Sequence, residues 1–182
     1  MSKVYSSAVV IIPPKEIWES IQEIRKIYDR NINRWMPHIT LLYPFRPINQ
    51  YEDIEKSFSE ICKNFKPIEV YLKSFSFFPH GYQKYTLWID PEPNISIIEF
   101  QKKIQKIVPD CNDVNKYKIG FRPHLSVGQI KGKNKLNKII TDLQTNWEEK
   151  KFILNKIYFI SREESKTSKF KISKQFQFKR NN

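Results

Sequence analysis

The chain alternates β-rich runs with helical-period runs, and past about residue 80 it writes the same order again. "SSAVVII" is β-rich and stops at Pro13-Pro14, where proline suits the first turn of a helix. Ile17, Ile21, Ile24 and Tyr28 then recur at helical spacing. "HITLLY" is a strand by composition. "YEDIEKSFSEICKNF" is a helix with Tyr51, Ile54, Phe58, Ile61 and Phe65 on one face, and "IEVYLKSFSFF" is another strand. "FPHGY" predicts a hairpin turn into the second half. There "YTLWID" is a strand, and Ser96 followed by Glu99 has capping-box spacing ahead of a helix carrying Ile97, Phe100, Ile104 and Ile107. "HLSVGQI" follows as a strand, then a helix with Leu136, Ile139, Ile140, Leu143 and Trp147. "KFILNKIYFIS" reads as one strand, and "KISKQFQF" as a final alternating edge strand.

Both halves therefore read β-α-β-α-β. A repeated unit of this kind predicts an α+β fold, a bilobal pseudo-twofold duplication with two antiparallel-rich sheets facing a central cleft and helices outside. One domain is expected over 1–182, with lobe one over approximately 1–80 and lobe two over approximately 81–182. The 13 Phe, 9 Tyr and 4 Trp hold enough apolar surface for a core, and four glycines argue against a disordered or fibrous chain. The apolar run near the N-terminus is too short for a signal peptide, and no segment approaches membrane-spanning length. Cys62 and Cys111 fit no metal-ligand spacing, so both are expected as reduced thiols in a cytoplasmic or nuclear monomer.

Histidine is scarce, with three in 182 residues, yet two of them sit in nearly the same words. "PHITL" and "PHLSV" each give Pro-His-apolar-hydroxyl-apolar on the central strand of a half. Side chains alternate along a strand, so His38 shares a face with Thr40, and His124 shares one with Ser126. A given histidine meets this pattern by chance roughly one time in a thousand. His80 also follows a proline, but Gly81 and Tyr82 break the pattern, which assigns it to the turn. If the halves pack about a pseudo-dyad, two imidazoles and two hydroxyls converge on one pocket.

That set suits phosphodiester cleavage. One neutral imidazole takes a proton from the attacking water or ribose hydroxyl, and the other, as imidazolium, protonates the leaving oxygen. The hydroxyls can bond non-bridging phosphate oxygens as charge builds there. Metal hydrolysis would need several clustered His, Asp or Glu ligands. No HxxxH, HExxH or HxD array appears, so no metal is expected. No Walker loop is present either, and no cofactor is expected. The net charge of +13 favours an anionic partner such as RNA or a nucleotide, although Lys, Asn and Ile richness alone can produce such a balance.

"PHITL" and "PHLSV", within "RWMPHITLLYPF", "YTLWIDPEP" and "GFRPHLSVGQ", resemble the paired signatures of the 2H phosphoesterase superfamily. That superfamily includes 2′-5′ RNA ligase-like proteins and cyclic phosphodiesterases. The resemblance runs from the first strand to "IYFISRE" and implies a bilobal fold with the motifs on facing strands. It also implies metal-independent action on RNA ends or nucleotides, at a 2′,3′-cyclic phosphate or a 2′-5′ phosphodiester. By motif position it gives His38 and His124 the acid and base roles and Thr40 and Ser126 the phosphate contacts.

Around the motifs, Phe121 and Tyr43 are candidates for stacking on a base, with core packing the competing reading. Arg122 is a candidate phosphate contact, with Arg46 behind it. Trp35 and Trp88 are expected in the core. The stretch 150–182 is strongly basic and reads as an RNA-backbone surface or as a solvated face. The alternative function is a non-catalytic RNA-end binding module using the same cleft. No membrane partner is expected.

Overall fold

The computed structural model describes residues 2–116, 120–165 and 167–179. In chain order, the elements are β1 (Ser7–Ile11), α1 (Trp18–Tyr28), β2 (Ile39–Leu42), α2 (Tyr51–Lys63), β3 (Ile68–Pro79) and β4 (Lys84–Glu92). They continue with α3 (Asn94–Gln105), β5 (Leu125–Lys131), α4 (Lys133–Asn146), β6 (Lys150–Leu154), β7 (Lys156–Ser161) and β8 (Lys171–Gln177). The repeated strand-helix order of the sequence is therefore present. The capping-box expectation is not. α3 starts at Asn94, straight after Pro93, which places Ser96 inside the helix, and no side chain caps its N-terminus.

The two expected sheets give way to one. All eight strands join in the order β6-β3-β4-β5-β2-β1-β7-β8, with every named pairing antiparallel. The two four-strand halves meet only at β2 and β5, through a single register pair, Ile39 opposite Leu125. The run "KFILNKIYFIS" is two strands broken at Asn155. β6 pairs with β3 at one edge, while β7 pairs with β1 in the other half. The inward-facing phase slips at Asn155-Lys156, from Phe152 and Leu154 to Ile157 and Phe159, and the hydrogen-bonding partner changes with it. "KISKQFQF" does form an edge strand, β8, and its lysines deter edge-to-edge pairing with other chains. Of the basic stretch, Lys166 and Arg180 lie outside the described residues.

Alternation along the strands sorts the sheet into two faces. Val9, Ile11, Ile39, Leu41, Leu87, Ile89, Leu125, Val127, Ile157 and Phe159 belong to the main core with the apolar sides of all four helices. From α2, the expected Tyr51, Ile54 and Phe58 are buried there, and Ile61 packs partly against it, as does Phe65 just past the end of the helix. Phe45, Phe58 and Phe159 interlock at ring separations of 4.8 to 5.9 Å. Each such ring contributes about 1.5–3 kcal/mol by leaving water. Ala8, Val10, Tyr158 and Ile160 form a second, smaller cluster with Phe170. Their alternation with the main-core residues puts them on the opposite face. Both cysteines are free and buried. Among the described residues no helix is long and apolar enough to cross a membrane.

Gly128 fixes how closely α1 can approach β5. A Cβ there would stand 2.5 Å from Tyr28 Cβ, the side chain at the end of α1, and 3.2 Å from its carbonyl oxygen. Helix backbone cannot yield as a flexible side chain can. Gly128→Ala is therefore expected to destabilise the protein by about 1–3 kcal/mol, as overpacking does. A urea denaturation midpoint equal to wild type would contradict this.

Candidate active site

Proline sets where each motif strand begins. It has no N–H to give to a ladder, and β2 and β5 start two residues after Pro37 and Pro123, at Ile39 and Leu125. The histidines thus stand one residue before their strands rather than within them. The carbonyl preceding each proline is turned to the histidine. His38 Nδ1 donates to Met36 O at 2.7 Å, and His124 Nδ1 donates to Arg122 O at 2.8 Å. A carbonyl only accepts, so each Nδ1 carries the proton and each Nε2 is left for other partners. The two motifs have the same local geometry.

The Ile39–Leu125 pair also fixes how the motifs meet. In an antiparallel pair, the next residues come opposite in the reverse sense: His38 falls beside Ser126, and Thr40 falls beside His124. With Ile39 and Leu125 turned to the helices, these four side chains share the other face. The two imidazoles occupy one diagonal of a square and the two hydroxyls the other. Thr40, His124 and Ser126 line a cavity of about 660 Å³. His38 is not part of its wall. It stands beside Thr40, close enough for His124 to weigh on its titration. Among the described residues neither motif hydroxyl has a hydrogen-bond partner, so both can bind a ligand.

The supports of the two rings differ. His38 lies flat on Trp35, with centroids 4.7 Å apart and planes 16° from parallel, and Trp35 stacks in turn on Phe170. The Trp35 carbonyl accepts from Arg25, whose guanidinium is buried with Asp29 at 2.8 Å. Gln129 of the motif strand β5 donates to the same carboxylate at 3.1 Å. His124 is gripped edge-on by Phe78 at 4.9 Å and by Trp88 at 6.0 Å. Each imidazole keeps part of its surface open while protein surrounds the rest. That loss of water pushes both rings below the ordinary histidine value, His38 to about 4. For His38 the Arg25 and His124 charges add to the fall. Both rings are neutral near pH 7 in the free protein.

Of the other candidates, Tyr43 and Phe121 both line the cavity. Phe121 also packs into the main core, so both readings of it hold. Arg122 lines the cavity too, held by Asp90 at 2.8 Å and lying over Trp88 at 5.1 Å. Arg46 is elsewhere. It is buried and bonded through both terminal nitrogens to Asp110. Trp88 is buried as expected, but beside His124 rather than in the core under the helices. Trp35 is half-buried against the smaller apolar cluster rather than in the main core. It packs on the face the helices leave uncovered, as the shelf for His38. Its sequence signal is an aromatic residue three places before each motif histidine, Trp35 and Phe121. Tyr5, Phe78, His80, Thr86 and Asp113 also line the cavity, and sequence reasoning assigned none of them to it.

Comparison with known proteins gives a consistent picture. Residues 13–166 match the family described as the 2′-5′ RNA ligase superfamily. A Geobacillus kaustophilus protein named "Putative phosphoesterase" is 28% identical over 123 residues, covering 66% of this chain and 67% of its own. A Bacillus pumilus protein of the same description is 28% identical over 122 residues, covering 66% and 68%. Among solved structures, TT0787 of Thermus thermophilus superposes with a TM-score of 0.64 at 14% identity, covering 94% of this chain and 97% of that one. E. coli LigT complexed with 3′-AMP superposes with a TM-score of 0.58 at 11% identity, covering 98% and 100%. At such identities these two likenesses speak for the fold.

Proposed function

Because the chain belongs to the 2′-5′ RNA ligase superfamily, the 2H phosphoesterases, we propose that it is a phosphodiesterase of RNA ends or nucleotides. The representative reactions are hydrolysis of a 2′,3′-cyclic phosphate to a 2′-phosphate and cleavage of a 2′-5′ phosphodiester. The observation that carries this reading is the Ile39–Leu125 register, which sets two His-hydroxyl pairs on one uncovered face. That E. coli LigT has been solved complexed with 3′-AMP supports a nucleotide ligand in this fold. One domain, its halves at approximately 1–80 and 81–182, contributes one motif from each half.

The chemistry follows from the ring orientations. With both Nδ1 atoms held by carbonyls, one neutral Nε2 removes a proton from water as its oxygen bonds to phosphorus. The bond from phosphorus to the leaving ribose oxygen breaks, and the other ring, protonated at Nε2, gives that oxygen its proton. The rings exchange charge, and proton exchange with solvent restores them. Thr40 and Ser126 donate to the non-bridging oxygens as negative charge grows there. Loss of one such donor costs about 10²–10³ in kcat in comparable sites. Which ring is acid depends on the side of phosphorus from which the ribose oxygen departs.

The test is a panel of nucleoside 2′,3′-cyclic phosphates, 2′-5′ oligoadenylate and short RNAs with defined ends, incubated with the protein in EDTA. Turnover of at least one is expected. Tight RNA binding with no turnover across the panel would instead make the cleft a recognition module.

A further inference from the structure

The third histidine also faces the cavity. His80 and Thr86 both line it together with His124 and Ser126, and His80 Nε2 is 2.8 Å from Thr86 Oγ1. We propose that His80 and Thr86 form a subsite for a second phosphate of the substrate, carried on the 5′ side of the nucleoside whose phosphodiester reacts. This deepens the phosphodiesterase reading and rests on it.

Position supports the assignment. Trp88 stands opposite Ser126 in the β4–β5 pair, while Thr86, two residues along, pairs with Gln129, so Thr86 and Ser126 lie diagonally on the order of 10 Å apart. A single nucleoside bridges a span of that order. Phe78, paired with Thr86 across β3–β4, meets His124 edge-on, so one apolar ring adjoins both polar groups. The arrangement is polar, apolar, polar, as a phosphate, a nucleoside and a second phosphate would require.

Hydrogen-bond accounting supports the ligand class. If Thr86 donates to Nε2, the proton of His80 is on Nδ1 and points outward. If Nε2 carries the proton and donates to Thr86, the hydroxyl hydrogen is released outward instead. In either tautomer the pair presents a donor to an acceptor ligand. The charged groups of the cavity are already engaged: Arg122 with Asp90, and Asp113 with Lys3 and Lys116. Among the described residues the side chains of His80 and Thr86 are hydrogen-bonded only to each other, and the chain's charge of +13 favours an anion.

The hairpin holds this pair at a conformational cost. Gly81, Tyr82 and Gln83 have φ of 71°, 45° and 55°, three consecutive left-handed residues of which two are not glycine. The turn brings His80 N onto Lys84 O at 2.8 Å and folds the imidazole back over Thr86. A looser turn of ordinary residues would carry the ring away from the cavity.

The experiment compares kcat/KM for one nucleoside 2′,3′-cyclic phosphate with a 5′-phosphate and with a 5′-hydroxyl. Wild type is expected to prefer the 5′-phosphorylated compound by about tenfold or more, as hydrogen bonds to a charged group give. His80→Ala should shrink that ratio toward one, and His80→Gln should keep part of it. A wild-type ratio of one, or an unchanged ratio in His80→Ala, would overturn the subsite. If wild type hydrolyses neither compound, the cyclic-phosphate reaction fails on its own, and the panel decides the wider phosphodiesterase reading. The subsite is then judged by dissociation constants of the nucleoside 2′-phosphate with and without a 5′-phosphate: the same preference, lost in His80→Ala, supports it, and no preference overturns it.

Discussion

His38→Ala and His124→Ala are each expected to lower kcat by about 10²–10⁴, the range a positioned acid or base supplies. The two losses should not multiply. Proton removal and proton delivery occur in one displacement, so the double variant should lose little more than the worse single one. The structure also separates chemical from structural loss. His124 sits between Phe78 and Trp88, and His38 rests on Trp35, so alanine leaves an exposed aromatic surface rather than a hole in the core under the helices. Near-UV circular dichroism should register the altered aromatic contacts while the denaturation midpoint changes modestly. Wild-type turnover in either single variant would contradict the paired roles.

Arg25→Met is expected to produce the largest loss of stability. The Arg25 side chain is 2% exposed and that of Asp29 is 4% exposed, and they are one turn apart at the end of α1. Removing the cation strands the carboxylate, leaving Gln129 and the Asn31 amide as its partners. Breaking one side of such a buried pair costs about 3–5 kcal/mol. In a domain of this size that is a fall in Tm on the order of 10 °C. Arg25→Met combined with Asp29→Leu should recover much of the stability, because no unpaired charge then remains. The same guanidinium holds the carbonyl of Trp35, the shelf beneath His38. Arg25→Met should therefore also lower kcat at temperatures where the protein is still folded. A cost under about 1 kcal/mol, the level of an exposed pair, would contradict this account.

The helix faces were legible because buried residues recur every third or fourth place, as Tyr51, Ile54 and Phe58 do. The motif faces were legible because alternation in a strand ties His to the hydroxyl two places on. Strand order was not. A period of two says which side a residue faces, and nothing about which strand it will pair with. In "KFILNKIYFIS" the phase slip at Asn155-Lys156 marks the break, but not that β6 pairs with β3 and β7 with β1. Local signals also misled where the backbone overrode them. β4 runs to Glu92, and Pro93 then starts α3 too early for Ser96 to cap it. Trp35 looked like core because large aromatics usually are, and on the face without helices it stacks between Phe170 and the His38 imidazole. His80 was read from its own neighbours as a turn residue, which it is. Its place beside Thr86 depends on the β3–β4 hairpin closing, a contact its own neighbours could not reveal.

The most direct test of the paired-imidazole account is kcat/KM as a function of pH, measured in EDTA on a 2′,3′-cyclic phosphate that the protein turns over. One limb falls as acid protonates the base, and the other falls as alkali deprotonates the acid. Both rings are held below the ordinary histidine value in the free protein, His38 at about 4. The account therefore predicts a bell whose maximum lies below pH 6.5, its limbs belonging to the pair rather than to either ring. A bound phosphate favours the imidazolium, so the kcat profile should lie at higher pH than the kcat/KM profile. A profile with a single limb, or activity that EDTA abolishes and a divalent cation restores, would contradict it.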